Sequence, residues 1–323
     1  MQNIVSALRR RVATSGAAEG KNIVAFSGGV DSSLVAAIVH QTFPDNSLAC
    51  VGISAALPAA QLHLARTVAS HIGIPLREVS TAEGSDPDYI ANEGQSCFHC
   101  KTHLYSALEA VAAQAGVESH HHASSSGGGV VLFNGTNKDD KRDHTRVGLK
   151  AAADFRVASP IDILSKDEVR AVSRDLGLPN WNHAASPCLR SRLAFGVEAT
   201  PERLAVVEKA EEIARKLLGL GVSHNLRVRA MHGNKALIEV DAGGTLEEAV
   251  RAVSDLRSLI IPLGFEEVDV RAFRTGGISG AAAPAAVAVS VARETSSVEG
   301  VLEKGNMGVD LYRVSGTART ASG

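Results

Sequence analysis

The chain has 323 residues, of which 45% are hydrophobic and 4% aromatic, and its formal net charge is −2. This length suits one large domain or two of ordinary size. The near-neutral charge and the shortage of aromatic side chains argue against a dedicated nucleic-acid binder. No apolar run approaches the ~20 residues that a membrane span needs, and no secretory leader is predicted. We therefore expect a cytoplasmic protein whose partners are neither membranes nor nucleic acids.

The first sixteen residues, MQNIVSALRRRVATSG, have two interpretations. They are rich in arginine and precede the first acidic residue, Glu19, as is typical of a transit peptide, so organellar import stays open. The favoured interpretation is an amphipathic helix, because Ile4, Val5, Leu8 and Val12 fall on one helical face.

The first half of the chain alternates predicted strands and helices. The strands are expected at 22–26, 48–54, 74–80 and 130–134, and the helices at 31–40, 59–72 and 98–115. Alternation of this kind predicts an α/β fold with a Rossmann-like parallel sheet that is covered by helices on both faces. Ser165 and Glu168 form a capping-box pattern that predicts one more helix.

The second half predicts a smaller α+β domain in the order α-β-β-α-β. Thr200 is a suitable N-cap before Pro201, and a second capping-box pattern at Thr245 and Glu248 predicts a helix to residue 260. We expect a domain at 1–180, a cysteine-bearing linker at 181–199 and a small substrate or oligomerisation domain at 200–274. We also expect a flexible Ser/Gly-rich insertion at 118–129 and a mostly disordered tail at 275–323 with a short helix near 287–304.

A polar loop, SGGVDSS, joins the first strand to its helix. It comprises Ser27, Gly28, Gly29, Val30, Asp31, Ser32 and Ser33. Glycines let backbone N–H groups approach an anion, and the N-terminus of the following helix adds partial positive charge. A carboxylate beside phosphates needs a bridging cation, which predicts Mg²⁺ at Asp31. The loop is neither a Walker A sequence nor a dinucleotide fingerprint, and it resembles the pyrophosphate loop of the N-type ATP pyrophosphatases.

That resemblance implies the adenine nucleotide alpha-hydrolase-like fold and ATP cleavage between the α and β phosphates. It also implies that AMP is attached to a substrate oxygen before a nucleophile displaces it. A similar Gly-Thr-Asn segment follows a strand in that superfamily, so Gly135, Thr136 and Asn137 are expected to contact the nucleotide. Asp139 or Asp140 is expected to assist Mg²⁺.

Three of the four cysteines are candidates for chemistry. Cys97 and Cys100 form a C-x-x-C at the start of a predicted helix, and Cys188 lies in the linker, whereas Cys50 fits a buried strand position. From the residues alone, zinc, redox and iron–sulfur interpretations stay open, with His99, His103 or His183 as a possible fourth zinc ligand.

Taken together, several segments resemble the LarE family of ATP-dependent sulfur transferases over about residues 4–273. The segments are ANEGQSCFHCK, NGTNKDD, GLKAAADF, SPIDILSKDEVR, SPCLRSRL, TPERL and LRVR. The resemblance implies that a carboxylate of a pyridinium dicarboxylate mononucleotide is adenylated and that sulfur from a sulfide or other sulfur donor then replaces AMP. The product is the thiocarboxylate of the nickel-pincer cofactor of lactate racemase. A homo-oligomer, trimeric or hexameric, is also implied.

The family has two branches that differ in their sulfur source. One sacrifices the sulfur of the cysteine that matches Cys188 and leaves dehydroalanine, and the other holds a [4Fe–4S] cluster on three cysteines. Because this chain has Cys97, Cys100 and Cys188, the cluster branch is favoured.

By position, the resemblance also carries over several charged residues. It implies catalytic roles for Cys188, Asp31, Glu202 and Arg192, and substrate binding by Arg192, Arg227 and Arg229. Asp269 and Arg274 match looser acidic and basic positions. Arg190 departs from the family, which more often has a small residue there.

Three alternatives remain open at this point. A tRNA thiolation enzyme would share the loop and the cysteines but usually carries an RNA-binding module. An amidotransferase would need a glutaminase unit, for which no pattern is present. A non-catalytic nucleotide or cluster sensor would not require a pyrophosphate loop.

Overall fold

The protein is described by a computed structural model over residues 2–114, 129–143 and 146–274. The insertion predicted at 118–129, apart from Gly129, and the tail predicted at 275–323 with its helix lie outside these residues. The strands are β1 (Lys21–Ala25), β2 (Ser47–Ile53), β3 (Leu76–Ser80), β4 (Val130–Phe133), β5 (Leu226–Met231), β6 (Lys235–Val240) and β7 (Glu267–Ala272). The α-helices are α1 (Gln2–Ser15), α2 (Val30–Thr42), α3 (Ala59–Ile72), α4 (Pro87–Ala91), α5 (Ser96–Gln114), α6 (Lys138–Arg142), α7 (Gly148–Asp154), α8 (Lys166–Asp175), α9 (Pro201–Leu217), α10 (Gly244–Arg251) and α11 (Val253–Ile260).

The predicted parallel sheet is confirmed, with strand order β3-β2-β1-β4 and every pair parallel. Two buried clusters cover it. Val24 and Val51 pack with α1, α2, α3 and α8 on one side, and Ile23 and Cys50 pack with α5 and α7 on the other. Successive residues of one strand thus enter opposite cores, as the period of two requires. The amphipathic interpretation of the N-terminus is confirmed for α1, whose Leu8 and Val12 are fully buried.

The second sheet has the order β5-β6-β7. β5 and β6 form the predicted antiparallel hairpin, and β7 returns parallel to β6 after the crossover through α10 and α11. The α-β-β-α-β order is therefore confirmed, although the crossover consists of two short helices instead of one. The boundaries predicted at 180, 199 and 274 stay a prediction.

The predicted helix starts agree with the structure at two of three positions. Ser165 caps α8 in a reciprocal capping box with Glu168, and Thr200 caps α9 with Pro201 at its first position. The capping box expected at Thr245 is wrong, because the N-cap of α10 lies two residues earlier at Gly243, which has φ +79° and provides no side-chain cap. Asn137 forms a capping box with Asp140 at the start of α6, and the sequence analysis does not predict this pair.

The segment predicted as a cysteine-bearing linker packs against the second sheet. Leu189, Leu193 and Val197 belong to the core of the second sheet, which also includes Tyr89 from α4. Leu193 forms an isolated bridge with Ala230 of β5. This packing fixes the backbone around Cys188. No helix in the described residues is both long and apolar enough to cross a membrane.

Candidate active site

The SGGVDSS loop lies at the carboxyl end of β1, where ligands of parallel sheets bind. Gly28 has φ +70°, and a Cβ there would lie 2.7 Å from the Cα of Ala65 in α3. Gly29 forms the N-cap of α2, and among the described residues no side chain accepts a hydrogen bond at that cap. The first backbone N–H groups of α2 are therefore left for an anion, as a pyrophosphate loop requires.

The hydroxyl groups of the loop hold its shape. The hydroxyls of Ser27 and Ser32 lie 3.1 Å apart, and Ser32 also donates to the carbonyl of Gly29 at 3.0 Å. These bonds close the turn without using the N–H groups at the start of α2. Ser33 is fully buried, and its hydroxyl accepts a hydrogen bond from the side chain of Asn180.

Two amides fix the loop from outside. Asn180 is fully buried and donates to the carbonyl of Gly28 at 2.7 Å and to the hydroxyl of Ser33 at 2.9 Å. Gln61 donates to the carbonyl of Ser27. The sequence predicts neither contact, because each residue lies far along the chain from the loop. The Pro-Asn dipeptide at 179–180 indicates only a loop.

The segment after β4 lies against the loop. A Cβ on Gly135 would lie 2.7 Å from the backbone nitrogen of Ser32, so only glycine fits at this approach. The side chain of Asn137 donates to Asp31 Oδ1 at 3.1 Å. Thr136 donates its backbone N–H to Asn134, which fixes the turn between them. The two predicted ATP-binding segments thus form one edge of the site.

A lysine completes this edge. Lys166, at the start of α8, donates to Asp31 Oδ2, and its backbone N–H donates to Asp139 at 2.8 Å. The sequence analysis predicts only a capping box at this position. The lysine of the Ser-Lys-Asp-Glu string is the signal that could have indicated a cation beside the phosphates.

Three carboxylates gather beside the loop. Burial raises the pKa of Asp140 above its ordinary value, and the like charge of Asp31 adds to that rise while Arg146 opposes it. Such crowding is relieved by a cation. Mg²⁺ prefers carboxylate oxygens, so Asp31 with Asp139 or Asp140 stays the predicted Mg²⁺ site, while in this structure Asp31 is paired with Lys166.

The candidate sulfur residues come from two separate segments. Cys97 and Cys100 lie in the first turn of α5, where Cys97 is exposed and Cys100 half-buried. Cys188 is half-buried and directly precedes a 3-10 turn at Leu189–Arg192. Cys100 and Cys188 pack against the same buried cluster. Burial raises the pKa of Cys100 to about 12; Lys101 opposes that rise, and Cys188 and Cys97 add smaller contributions to it.

The three cysteines define a thiol pocket at the same edge of the sheet as the phosphate loop. The backbone N–H of Leu189 donates to the carbonyl of Ala56, which follows β2, at 2.8 Å. Tyr89 and Glu83, which follow β3, interact electrostatically with Cys100. Loops that follow β1, β2 and β3 thus line one edge, and Asn180 joins the phosphate loop to the segment that leads to Cys188.

The histidines near Cys97 have another partner. His99 Nδ1 and His103 Nε2 both lie close to Asp86 Oδ2, at 3.1 and 3.0 Å. Asp86 also caps α4 by accepting from the backbone of Asp88 and Tyr89. In the described chain, the side chains with the spacing of a single metal ion are Asp86, Asp88 and His99, with no cysteine among them. His183 has its pKa lowered by burial and by Arg170. Zinc on the three thiols is therefore not favoured by the packing.

The arginines predicted to bind substrate hold the segment that carries Cys188. Arg192 is 1% exposed, pairs with Glu211 at 2.8 Å and donates to the carbonyls of Pro187 and Cys188. Arg227 donates to the carbonyl of Ala185. Arg229 also donates to a backbone carbonyl of this segment.

Arg229 donates to the carbonyl of Ser191 at 2.6 Å and pairs with the buried Glu239 at 2.8 Å. Burial lowers the pKa of Arg227 to about 10, and repulsion from Arg192 contributes. This cluster therefore carries more positive charge than its carboxylates balance, which favours a nearby anion.

Glu202 lies at the start of α9, beside a separate groove. It is exposed in the first turn of α9 and lines a groove of about 550 Å³ with Arg203, His232 and Phe265. Asp269 lies 3.5 Å from Arg257 in a partly exposed ion pair, and Arg274 is exposed. The catalytic role of Glu202 and the family match of Asp269 and Arg274 stay predictions.

A pyrophosphate loop at the carboxyl end of a parallel sheet, with an Asp–Lys edge and a Gly-Thr-Asn wall, defines a PP-loop ATP pyrophosphatase. The NAD synthase family model matches residues 1–97, which span this loop. The chain belongs to the LarE family within that class, since it is 31% identical over 261 residues to the pyridinium-3,5-bisthiocarboxylic acid mononucleotide synthase of Lactiplantibacillus plantarum. That match covers 78% of this chain and 87% of the relative.

Two further relatives support the same class. An uncharacterized protein of Synechocystis, slr1717, is 38% identical over 197 residues, which is 60% of this chain and 69% of the relative. The GMP synthase of Nocardia farcinica is 31% identical over 219 residues, but these span only 42% of its length. This last match indicates the PP-loop class and no more. The chain is accordingly an ATP-dependent enzyme of the sulfur-transferase type.

Proposed function

We propose that the protein adenylates a carboxylate of a pyridinium dicarboxylate mononucleotide and then replaces AMP with sulfur. The product would be the thiocarboxylate of the nickel-pincer cofactor of lactate racemase. The observation that carries this proposal is the thiol pocket of Cys97, Cys100 and Cys188 at the same sheet edge as the phosphate loop. The name of the Lactiplantibacillus relative supports the choice of substrate.

The first step would occur at the phosphate loop. A substrate carboxylate oxygen attacks the α phosphate of ATP, and pyrophosphate leaves into the cradle formed by Gly28, Gly29 and the start of α2. Lys166 and the backbone N–H groups would stabilise the charge that develops on the leaving group, and stabilisation of this kind supplies most of the catalysis in phosphoryl chemistry. Asp31 with Asp139 or Asp140 would hold Mg²⁺, which supplies charge neutralisation on the phosphates.

The second step would occur at the thiol pocket. A sulfur nucleophile attacks the carbonyl carbon of the acyl adenylate, the bond to the AMP oxygen breaks, and AMP leaves with the bonding electrons. The thiocarboxylate retains the sulfur. Buried arginines hold the carbonyls of residues 185–191, so Cys188 would be presented in a fixed position.

The pocket fits the [4Fe–4S] cluster that the family implies. Cys97, Cys100 and Cys188 would supply three thiolate ligands, and a three-cysteine site leaves one iron open. In the described residues, the buried hydroxyl of Tyr89 and the buried Oε2 of Glu83 have no hydrogen-bond partner, as expected of a pocket built for an additional polar group. When bound, such a cluster would supply a position for a transferable sulfide. The alternative source is the sulfur of Cys188 itself.

Substrate binding by Arg192, Arg227 and Arg229 is part of the same proposal. In this conformation their donors are engaged by the loop of Cys188, so direct contact with the substrate requires that loop to shift. Their excess positive charge would otherwise attract the phosphate and carboxylates of the substrate through space. The family resemblance further implies a homo-oligomer in the cytoplasm.

Pyrophosphate release tests the substrate class. The protein is supplied with ATP and Mg²⁺ and either the dicarboxylated pyridine mononucleotide or bulk tRNA. We expect release with the mononucleotide and none above background with tRNA. Release with tRNA alone would favour a tRNA thiolation enzyme, and release with neither would favour a nucleotide-binding sensor.

Iron and cysteine measurements separate the two sulfur sources. Anaerobic reconstitution should give a brown protein with about four irons, as the [4Fe–4S] assignment requires. An iron-free protein whose Cys188 becomes dehydroalanine after turnover would instead indicate sacrificial chemistry.

A further inference from the structure

Arg190 reaches across the thiol pocket from the segment that carries Cys188. It lies in the 3-10 turn Leu189–Arg192, and its Nη2 donates to the Sγ of Cys97 in α5. Its Nη1 donates to Asn92 Oδ1 at 3.1 Å. A single guanidinium therefore joins the two cysteine segments.

The anchor of Arg190 is rigid. Asn92 is buried, has a left-handed backbone with φ +55°, and donates its amide to the carbonyls of Ala194 at 2.8 Å and Val197 at 3.1 Å. Because the amide donors are committed, its carbonyl oxygen is oriented toward Arg190. The position of the guanidinium thus follows from the fold and does not depend on a flexible side chain in solvent.

The charge of Arg190 lacks the usual partner. In the described part of the chain it forms no ion pair with a carboxylate, and the groups that interact with it are Cys97, Cys188, Tyr89 and Cys100. Arg190 is half-buried, and a guanidinium that has lost part of its hydration is stabilised by a nearby anion. The surroundings of Arg190 therefore favour anionic sulfur.

A second donor lies in the same pocket without a partner. Tyr89 is 2% exposed, and its hydroxyl has no hydrogen-bond acceptor among the described residues. Cys100 and Cys188 pack against the same buried cluster to which Tyr89 belongs. Buried hydroxyls are normally paired, so this one indicates a group that is absent from the chain itself.

We propose that Arg190 and Tyr89 form a binding site for the hydrosulfide anion, HS⁻, within the thiol pocket, an inference that rests on the proposed function. Hydrosulfide carries one negative charge, is small and accepts hydrogen bonds, so it balances Arg190 and satisfies the Tyr89 hydroxyl. The site would hold inorganic sulfide beside the thiols until an acyl adenylate is available. Arg190 would thereby be a positioning residue for the sulfur that is transferred.

Equilibrium dialysis against sodium hydrosulfide tests the site, with labile sulfide and iron counted per protein. The fully reduced protein is measured anaerobically both with and without reconstituted iron. Four variants are compared with the wild type: Arg190→Ser, Arg190→Lys, Tyr89→Phe and, as a matched charge control, Arg10→Ser on the exposed face of α1.

We expect Arg190→Ser to weaken hydrosulfide binding about 10-fold or more, the factor for loss of one charge-assisted hydrogen bond. Tyr89→Phe should weaken it severalfold, Arg190→Lys should restore part of the affinity, and Arg10→Ser should change nothing. In iron-loaded protein, Arg190→Ser should also lower the reduction potential, because a positive charge is removed from beside an anionic centre.

Failure of this inference is distinguishable from failure of the proposed function. Equal hydrosulfide affinity in wild type, Arg190→Ser and Tyr89→Phe would overturn the site, and so would the absence of binding in both iron-loaded and iron-free protein. Wild-type protein that takes up no iron but binds hydrosulfide through Arg190 would refute the cluster and support the site. Tyr89→Phe removes only one oxygen atom, so its hydrosulfide affinity still tests the site if Arg190→Ser does not fold.

Discussion

Adjacent glycines in the phosphate loop should respond in opposite ways to one added methyl group. Gly28 has φ +70°, and its Cβ would lie 2.7 and 2.8 Å from the backbone Cα and nitrogen of Ala65. The left-handed backbone costs an alanine about 1–2 kcal/mol, and the clash with a helix backbone adds about 1–3 kcal/mol. Gly28→Ala should therefore destabilise the protein by about 2–5 kcal/mol.

Gly29 is the control within the same loop. It has φ −74°, and its Cβ would meet only the hydroxyl of Ser27 at 3.4 Å. Gly29→Ala should leave stability unchanged or raise it by about 0.4–1 kcal/mol, because alanine restricts the unfolded chain. Urea unfolding of both variants measures the difference. Equal stability of the two variants would refute the close approach of the loop to α3 on which the geometry of the cradle depends.

Three other perturbations test the surroundings of the site. Glu211→Ala leaves the buried Arg192 without its carboxylate and should lower the free energy of unfolding in urea by about 3–5 kcal/mol. Glu212→Ala breaks only a surface ion pair and should lower it by about 0–1 kcal/mol. Similar losses in the two variants would contradict the buried pairing of Arg192 with Glu211. Lys166→Met should lower the rate of pyrophosphate release about 10²–10³-fold, as loss of one charge-stabilising group does, and an unchanged rate would remove this lysine from the phosphate site. Burial raises the pKa of Cys50 from 9.0 in the unfolded chain to about 12, so its neutral thiol favours the folded state below pH 9 and that contribution is lost as the pH rises toward 12. Between pH 8 and pH 10.5, Cys50→Ala should therefore lose about 2 kcal/mol less stability than the wild type, and parallel pH profiles would exclude the shift.

The elements of the fold could be read from the sequence because their patterns are local. Apolar runs such as 22–26 and 48–54 form the central strands, and the helix at 59–72 has the bounds that its periodicity predicts. The second-sheet crossover could not be predicted as two helices, because Ala252, which separates α10 from α11, carries no helix-stop signal. The Asn137 capping box is hard to predict for another reason, since the same residues also match a nucleotide-binding segment.

The candidate site could be predicted in its parts but not in its connections. The phosphate loop and the three cysteines are contiguous or closely spaced motifs, and the comparisons confirm the class they indicate. Asn180, Lys166 and Arg190 act on residues about 90 to 150 positions away, as with Lys166 and Asp31 at a separation of 135. No spacing along the chain reveals such contacts. The sequence predicts that the arginines of β5 face a ligand, and only the packed structure shows that they hold the loop of Cys188.

Sulfur transfer itself can be measured on the product. Protein reconstituted with an isotopically labelled sulfide is given ATP, Mg²⁺ and the dicarboxylated pyridine mononucleotide, and the nucleotide is then analysed by mass spectrometry together with AMP and pyrophosphate. We expect one carboxylate oxygen to be replaced by labelled sulfur, with one AMP and one pyrophosphate released for each thiocarboxylate formed. Formation of AMP and pyrophosphate with an unchanged nucleotide, or with label recovered only in tRNA, would contradict the assignment of this chain as a sulfur transferase acting on that nucleotide.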